Sequence, residues 1–399
     1  MMKKIIMLTT VIPQLSTGGE IYTSTLVKSL AKEGYSIDLV GYRRKEKKND
    51  FSFREEKNVR IYIAGYRNIE TKNIFLISLS WVVKSIVKDI PFSMAKYTSI
   101  SYKKILDSLL SLNEYDLMIV DHGQMLWTLQ ERCIKKNKMH RKYYLINHNF
   151  EPSVYSDLAY FKKGVIKKLY LRESKKIKEY EKRMNFAPNN GATFISEKDR
   201  HLFIETYKNI DKKNTITLSP FVKKKILSEK FYYQSIIVRD ICLFGNWLWE
   251  PNRKSLIWFF NRVVPLLPNI KIGIAGKGAE KIIPCGGHIT YHGYIENIDE
   301  FILSSKCIAI PSILGSGVQI KSVESVNYAI PIVATEQAFR GINSPPSFVA
   351  VVKDHISFAK KISSVIHHTN TRNDAAFKEA VAWQKDREEK YIQSLKTIF

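Results

Sequence analysis

Cysteine is scarce in this chain: there are 4 among 399 residues, and no two of them form a C-x-x-C pair. Zinc ribbons and disulfide frameworks need paired, closely spaced cysteines, so neither is predicted. The sequence also contains no Asp-x-Asp and no H-E-x-x-H, the short motifs that hold cations in many enzymes. We therefore predict no resident metal or cofactor, and the cysteine usage fits a reducing cytoplasm.

Long hydrophobic runs are also missing, and none approaches the roughly 20 residues that span a bilayer. The closest run, Ile74 to Val83, contains two serines and ends at Lys84. The first residues have a basic tip and an apolar stretch like a signal peptide, but Thr9, Thr10 and Pro13 interrupt that stretch. We interpret it as a first β-strand and predict a protein that is not integral to a membrane.

Acidic residues are few: 38 Asp and Glu stand against 63 Lys and Arg, which gives a net charge of +25. The partners of such a chain should be anionic, and nucleic acid, anionic lipid surfaces and phosphorylated small molecules all qualify. The sequence contains no RNP-like, zinc-finger or helix-turn-helix pattern. We therefore predict that nucleic acid is not a partner.

Much of the positive charge lies in a stretch that we predict to be helical, Tyr160 to Met184. One interpretation is a core-packed helix with a solvated basic back, which is the commoner case. The other is a helix that lies on anionic lipid, and Ile74 to Pro91 is a second candidate of that kind. The predicted apolar face consists of Ile166, Leu169, Tyr170, Ile177, Tyr180 and Met184. The basic residues around it are Lys162, Lys163, Lys167, Lys168, Arg172, Lys175, Lys176 and Lys182.

Short apolar runs alternate with helical patterns along both halves of the chain. This alternation predicts parallel sheets covered by helices, so the fold class is α/β with two Rossmann-like domains facing each other across a cleft. A basic connector, Lys223 to Lys230, separates the halves. The predicted strands are Lys4 to Leu8, Ser36 to Gly41, Asp116 to Asp121, Lys142 to Ile146, Ile241 to Phe244, Ile270 to Ala275, His288 to Tyr291, Ile308 to Pro311 and Pro331 to Ala334. The predicted helices include Ile21 to Glu33, Ser255 to Val264, Asp299 to Ser305, Gln319 to Tyr328 and a tail from Asn373.

The most informative segment starts at Ile308 and reads as a buried strand, a glycine loop and a helix. Gly315 and Gly317 would let the backbone approach phosphate oxygens, and the N-H groups at a helix start attract anions. Lys321 and Glu324 lie three residues apart and share a helix face, so one ligand could meet both. The alternative is an ordinary turn followed by an exposed ion pair.

Three further strand ends of the second half carry glycine turns. They are Gly245-Asn-Trp-Leu-Trp-Glu-Pro-Asn, Ala275-Gly-Lys-Gly and His292-Gly-Tyr-Ile. Glycine after a strand is a common turn device, so each alone is weak evidence. Their order before the Gly315 loop favours a ligand site.

Together these motifs resemble the C-terminal half of group 1 glycosyltransferases, GT-B enzymes of the large family four. The resemblance rests on Gly-x3-Trp-x-Pro-Asn, Gly-Lys-Gly, Gly-Tyr-x-Glu-Asn, Pro-x3-Gly-Ser-Gly-x3-Lys-x2-Glu and Pro-Ile-Val-Ala-Thr. It is strong from Cys242 to Ile342 and looser in the first half. It implies an acceptor domain over residues 1–218, a nucleotide-sugar donor domain over 219–380, and a helix over 381–399 that packs back on the first domain.

The resemblance also implies roles for individual residues. Lys321 would contact the donor diphosphate and Glu324 the ribose, while the backbone near Tyr294 and Ile295 would contact the base. The N-terminal loop would bring its glycines against the donor phosphates. Those glycines are Gly18 and Gly19.

Two positions depart from the family pattern. Many members carry a Glu-x7-Glu pair, and the place of its first Glu, which usually serves the donor sugar, is taken by Ser316. The basic residue often found after the first C-terminal strand is replaced by Asn246 and Trp247. Lys277, or an N-terminal side chain, is the candidate for the missing positive charge.

Candidate catalytic residues lie at strand ends of the first half. His148 follows the strand that ends at Ile146, which is where α/β folds build their sites; the alternative is a histidine that caps a turn. Glu151 is a candidate base or acceptor-orienting group, and Asp121 with His122 is a second candidate. In an inverting enzyme one of these would deprotonate the acceptor hydroxyl, and in a retaining one His148 would steady the donor sugar.

We therefore predict a metal-independent glycosyltransferase that moves a sugar from a nucleotide-sugar donor to a glycan or lipid-linked acceptor. The resemblance implies a role in bacterial surface polysaccharide assembly. The cysteine usage predicts a cytoplasmic protein, and the basic helix is the candidate contact with an anionic membrane surface. Two alternatives stay open, a GT-B nucleotide-sugar epimerase and a non-catalytic nucleotide-sugar-binding subunit.

Overall fold

The computed structural model describes residues 3–14, 17–44, 53, 55–67, 74–130, 142–183, 190–208, 210–222, 229–282, 286–315, 317–367 and 372–398. Ser316, Met184 and residues 223–228 of the basic connector lie outside these ranges, so the predictions made for them stay predictions. The chain forms two compact units. The first comprises Met1–Ser219 with Ser394–Phe399, and the second comprises Pro220–Gln393.

The first unit is a seven-stranded parallel sheet in the order β3-β2-β1-β4-β5-β6-β7, with helices connecting its strands. Its strands are β1 (Lys4–Val11), β2 (Ser36–Arg43), β3 (Val59–Tyr66), β4 (Leu117–Asp121), β5 (Tyr143–Asn147), β6 (Gly191–Phe194) and β7 (Thr215–Thr217). Its helices are α1 (Gly18–Lys32), α2 (Ile74–Val87), α3 (Phe92–Ala95), α4 (Ile100–Leu112), α5 (Glu151–Tyr160), α6 (Gly164–Lys182) and α7 (Glu197–Thr206).

Burial explains the central strands of this sheet. Every residue of β4 is buried, as is every residue of β1 after Lys4, because helices cover both faces of a parallel sheet. Helix α1 begins after Thr17, whose side chain accepts a hydrogen bond from Glu20 N at 3.3 Å and so caps the first turn. The chain therefore turns from strand to helix within a few residues of the carboxyl end of β1.

The second unit is a six-stranded parallel sheet in the order β10-β9-β8-β11-β12-β13. Its core packs α9 (Glu250–Trp258) and α12 (His355–Ile366) against the sheet through Leu256, Phe358 and Phe259, which directly follows α9. Its strands are β8 (Arg239–Phe244), β9 (Ile272–Ala275), β10 (Ile289–Gly293), β11 (Ser305–Ile310), β12 (Ile332–Thr335) and β13 (Val349–Val352). Its helices are α8 (Glu229–Gln234), α9 (Glu250–Trp258), α10 (Ile298–Leu303), α11 (Ile320–Val326), α12 (His355–Ile366) and α13 (Asp374–Ile398), the last of which ends in the first unit.

The predicted fold class is confirmed, since both units are parallel α/β sheets of the Rossmann type. All nine predicted strands exist, with ends that differ by up to three residues. Four strands were not predicted, namely β3, β6, β7 and β13. They are edge strands or strands of only three or four residues.

The predicted helix from Tyr160 to Met184 exists as α6, but it begins four residues later, and Met184 lies outside the described residues. Helix α5 ends at Tyr160, and α6 starts at Gly164 after a turn in which Gly164 adopts a φ of +55°. A left-handed backbone at this position breaks a right-handed helix. Tyr160 therefore belongs to the preceding helix, and most of the basic stretch lies in α6.

Candidate active site

The carboxyl ends of β1 and β4 mark the point in the first sheet where the strand order reverses. On one side the chain continues to β2 and β3, and on the other to β5 and β6. Ligands of open α/β sheets bind at such a switch point. Helix α1 starts beyond β1, His122 follows β4 and His148 follows β5, so the chain places its polar residues where the topology predicts a site.

The Asp121 carboxylate organises this site. Oδ2 accepts hydrogen bonds from the Thr9 and Thr23 hydroxyls, each at 2.8 Å, and lies 3.1 Å from His122 Nδ1. Oδ1 lies 2.8 Å from His148 Nε2. Asp121 is fully buried, and a buried carboxylate is stable only when groups such as these satisfy its oxygens. The arrangement orients both imidazole rings through one carboxylate.

The two rings differ in access. They stack with centroids 3.8 Å apart and planes 13° apart. His148 is buried, with a side chain 7% exposed and its ring edge-on to Tyr22, whereas the side chain of His122 is 21% exposed and lines a pocket. Of the two, His122 is therefore the ring that a substrate can reach.

The backbone at His122 is unusual, with a φ of +74°. A non-glycine residue in this left-handed region costs on the order of 1–3 kcal/mol, and such residues cluster at functional sites. The conformation turns the chain sharply after β4 and presents the ring to the pocket. Strain at the reachable histidine supports a functional role for it.

The protonation states of the cluster follow from burial and charge. Burial alone would raise the pKa of Asp121, but the two imidazoles beside it hold that pKa far below its usual range. Burial opposes the charged form of His122, yet the Asp121 carboxylate outweighs it and raises the His122 pKa. Burial and the neighbouring His122 lower the pKa of His148. A proton that enters the stack therefore goes to His122 first.

Glu151 lies next to this cluster. Its side chain accepts hydrogen bonds from Gln124 and Asn149, and burial raises its pKa above the ordinary value. Glu181 is more deeply buried, accepts a 2.5 Å hydrogen bond from the Tyr207 hydroxyl, and has a pKa raised to about 8 by burial. Glu151 does not line the pocket, so its contact with substrate stays a prediction.

The same residues are the candidate metal ligands among the described residues. Ligand atoms of Asp121, His122 and His148 all lie within 4.8 Å of one another. The two threonine hydroxyls already donate to Asp121 Oδ2, and His148 occupies Oδ1. Protein groups therefore already engage both oxygens of Asp121, and the absence of a resident metal stays a prediction.

The second unit has its own switch point, between β8 and β11. The Gly245 loop follows β8, and the Gly315 loop follows β11. The side chains of these two loops meet, since Lys321 Nζ lies 6.0 Å from the centre of the Trp247 ring. The structure thus brings together two motifs that lie about 70 residues apart in the sequence.

Contacts between backbone atoms hold the ends of β8, β9 and β10 together. Gly276 has a φ of +111°, donates from its N-H to Gly293 O at 2.5 Å, and a Cβ on it would lie 1.7 Å from Gly245 O. The Trp247 indole donates to Ala275 O at 2.9 Å. Only glycine fits at residue 276. Trp247 takes the position at which the resemblance predicts a cation, and its role there is to help hold these strand ends together.

Asn246 and Lys277 are both exposed at this edge. The Asn246 side chain accepts from Leu248 N at 3.1 Å and stabilises the turn. Lys277 Nζ lies 5.7 Å from the centre of the Tyr294 ring, which is 64% exposed, and Ile295 is half-buried beside it. The predicted substitute cation therefore lies beside the residues predicted to face the base.

Two side chains donate hydrogen bonds to the backbone of the Gly315 loop. The carbonyl of Gly315 accepts from Gln337 Nε2 at 2.6 Å and from Arg340 Nη1 at 3.2 Å. Gly315 and Gly317 have φ values of +131° and +68°, which only glycine adopts without strain. Helix α11 spans only seven residues, so the cationic character of the site comes mainly from Lys321.

Lys321 is the cation at the centre of this unit's site. It is half-buried, and burial lowers its pKa to about 8. Within the described part of the chain, no carboxylate forms an ion pair with it. Glu324, half-buried one turn later, shares its helix face as predicted. Burial disfavours the charge of this lysine, and no acidic side chain of the described residues balances it. An anionic ligand would therefore stabilise the charged form.

The predicted N-terminal loop at Gly18 and Gly19 is instead the first turn of α1. Gly19 lies against both histidines, since a Cβ there would be 3.6 Å from His122 Nε2 and from His148 Nδ1. Their contact with donor phosphates stays a prediction. No sequence motif marks Arg44, Glu20 or Gln124, which line the pocket with His122.

Two Rossmann-type units with sites at their switch points define the GT-B class, and solved structures of that class match the chain over its full length. A glycosyltransferase from Rickettsia africae is 13% identical with a TM-score of 0.60, covering 100% of this chain and 97% of that one. Anabaena Alr3699/HepE in complex with UDP and glucose is 11% identical with a TM-score of 0.65, covering 99% of each chain.

A family model matches the second unit. Residues 238–368 match the family described as "Glycosyl transferases group 1", which confirms the resemblance predicted from the sequence. A relative from Klebsiella pneumoniae, described as an uncharacterized 44.6 kDa protein in the cps region, is 24% identical over 98% of both chains. Among the described residues, no helix is long and apolar enough to cross a membrane.

Proposed function

We propose that this protein transfers a sugar from a nucleotide-sugar donor to a hydroxyl group of a glycan or lipid-linked acceptor, in surface polysaccharide assembly. The observation that carries the proposal is Lys321, a half-buried lysine without a carboxylate partner among the described residues, set between two glycine loops of the matched family region. The cps-region relative supports the polysaccharide setting.

In the second unit, the donor diphosphate binds Lys321 and the backbone of the Gly315 loop, and Glu324 takes the ribose hydroxyls. A lysine supplies the charge that a metal supplies in other transferases, because it stabilises the negative charge that develops on the departing diphosphate. Burial makes this interaction stronger than it would be in water. The reaction on this account needs no metal.

In the first unit, His122 is the residue that contacts substrate. Asp121 orients its ring and favours its protonated form, and His148 fixes Asp121 from the other side. In an inverting reaction the His122 ring accepts the proton of the acceptor hydroxyl. In a retaining reaction it hydrogen-bonds a substrate hydroxyl and positions it.

A panel of nucleoside diphosphates tests the donor proposal, because a ligand that binds the native state raises the melting temperature. We expect a shift with one base, and UDP is the first to try because Anabaena HepE crystallised with it. Release of nucleoside diphosphate only when acceptor is added identifies a transferase. Epimerised donor without acceptor would identify an epimerase, and binding without either reaction would identify a binding subunit.

We also propose that the first unit associates with the inner face of an anionic membrane, through the first half of α6. Residues 163–169 are all exposed, and they include Val165 at 73%, Ile166 at 54% and Leu169 at 56% exposure. The second half of the helix is anchored in the protein, because Glu173 accepts hydrogen bonds from the backbone of Phe92 and Ser93. Exposed apolar patches of this kind mark interaction surfaces.

The charges around this patch favour lipid as the partner. Lys163, Lys167 and Lys168 are exposed beside the apolar residues, and each cation near an anionic bilayer contributes roughly 1 kcal/mol. Helix α2 of the same unit adds exposed apolar residues, among them Val83 and Ile86. An apolar strip edged by lysines matches an anionic bilayer, with its acyl boundary and charged headgroups.

Vesicle sedimentation measures this association. The protein should pellet with phosphatidylglycerol vesicles and not with phosphatidylcholine vesicles, and salt should release it. Replacing Lys167 and Lys168 by glutamate should abolish pelleting, whereas Lys104→Glu, at an exposed position on α4, should leave it unchanged. Equal pelleting of the double variant and the wild type would refute the assignment.

A further inference from the structure

The first unit contains a pocket of about 180 Å³, and the side chains that line it indicate which kind of ligand it binds. It lies at the carboxyl ends of β1, β2 and β4 and is the scale of one sugar ring. Tyr97 and His122 provide aromatic surface, as sites for small ligands usually do. It is lined by Thr10, Val11, Thr17, Glu20, Thr23, Arg44, Tyr97, His122 and Gln124.

Three polar atoms of the lining residues are buried without a hydrogen-bond partner: Gln124 Oε1, Arg44 Nε and His122 Nδ1. His122 Nδ1 lies 3.1 Å from Asp121 Oδ2, and this charged contact accounts for it, which leaves Gln124 Oε1 and Arg44 Nε. Buried polar atoms are rarely left unsatisfied, and each such atom calls for an explanation. The Gln124 amide is engaged with the Glu151 carboxylate, and Arg44 Nη2 is engaged with the Glu20 carboxylate. Gln124 Oε1 and Arg44 Nε therefore belong to side chains that are fixed in place, so their lack of a partner does not come from side-chain mobility.

The orientation of the Gln124 amide follows from Glu151. The Glu151 carboxylate accepts a hydrogen bond from Gln124, and a carboxylate can only accept, so the amide nitrogen must face it. The carbonyl oxygen Oε1 then points away from Glu151 and is left as an acceptor. A ligand group that satisfies it must be a donor, such as a hydroxyl.

The charge of Arg44 is already balanced. Its Nη2 lies 2.6 Å from Glu20 Oε1, and Glu20 Oε2 accepts from the backbone N-H of Gln14 at 2.8 Å. An anionic ligand at Arg44 would approach the Glu20 carboxylate as well and would be repelled by it. Arg44 Nε remains as a single donor, which suits a neutral oxygen.

We propose that this pocket binds a neutral sugar unit of the acceptor through its hydroxyl groups, one donating to Gln124 Oε1 and another accepting from Arg44 Nε. The proposal rests on the proposed transferase function and narrows its substrate class. The acceptor is recognised here by a sugar ring and not by a phosphate or a carboxylate. Gln124 and Arg44 are the residues that determine this specificity.

Saturation-transfer NMR on the full chain tests the proposal with methyl glycosides of neutral hexoses, and with inorganic phosphate and methyl glucuronide as anionic probes. At least one neutral glycoside should bind, and Gln124→Met should weaken it about tenfold, the effect of one lost hydrogen bond. Arg44→Lys, which keeps the charge opposite Glu20 but lacks Nε, should do the same. Gln234→Met, at an exposed position of the second unit, is the matched control and should change nothing.

A deoxy series then locates the hydroxyl. The glycoside that lacks the hydroxyl bound by Gln124 should bind equally to wild type and to Gln124→Met, since the two changes remove the same contact. Tighter binding of phosphate or glucuronide than of every neutral glycoside would overturn the proposal, as would unchanged binding by Gln124→Met. A UDP melting shift measured on the same samples reports the donor site separately, so its loss is distinguishable from failure of the sugar pocket.

Discussion

Lys321→Met should lower the affinity for the nucleoside diphosphate by about 100-fold at pH 7, because truncating one partner of a desolvated charge pair typically costs about 2–5 kcal/mol. The same change should stabilise the unliganded protein by about 1–2 kcal/mol, since the fold holds this charge out of water without a carboxylate partner in the described residues. Calorimetric titration and thermal melting measure the two effects. Unchanged affinity would remove Lys321 from the donor site.

The pH dependence of binding provides a second check on Lys321. Its pKa of about 8 lies below the ordinary value of 10.5, so the free protein loses this charge as the pH rises through 8. Diphosphate affinity should then fall by up to tenfold per pH unit above about pH 8. Stability of the unliganded protein should rise over the same range toward pH 10.5, because the unfolded state there binds more protons than the folded state. In Lys321→Arg both slopes should disappear, since arginine stays charged.

His122→Gly should reduce the rate of sugar transfer by about 10²- to 10⁴-fold, the usual contribution of a proton-transferring or positioning side chain. It should not reduce stability, because glycine adopts the left-handed backbone at this position without strain. Steady-state kinetics and thermal melting on one preparation measure both. The combination of lost activity with retained or increased stability is expected for a residue kept for function.

Asn269→Gly is the matched control for His122→Gly. Asn269 is exposed, lies in the second unit and has a φ of +61°, so glycine there relieves a similar backbone strain away from both sites. It should leave transfer unchanged. A loss of activity in this control would attribute the His122→Gly result to the backbone and not to the ring.

The sequence was sufficient to predict the central strands of both sheets, because these strands are buried on both faces and appear as continuous apolar runs. It did not reveal β6 or β13, which have four residues each, or the break before α6. Gly164 was a visible signal of that break, but the amphipathic pattern around it was continuous. Propensity is a weak guide where one residue interrupts a long periodic segment.

The candidate sites of the two units differed in the same way. Lys321 and Glu324 lie three residues apart, so a local motif was enough to find them. Arg44 and Gln124 lie about 80 residues apart and share a pocket only through the order of the strands. The left-handed backbone of His122 has no sequence signature either, so the accessible histidine could not be distinguished from His148 before the structure was known.

The backbone contacts around Gly276 limit where this candidate site can change in evolution. The contacts that join the ends of β8, β9 and β10 are made mainly by backbone atoms, and a side chain at Gly276 would separate them. Leu248, Lys277 and Tyr294, at the tips of the same loops, are exposed. Substitutions at these tips leave the shared frame intact, so on the proposed function we expect that new donor preferences can arise there by single mutations without a loss of folding.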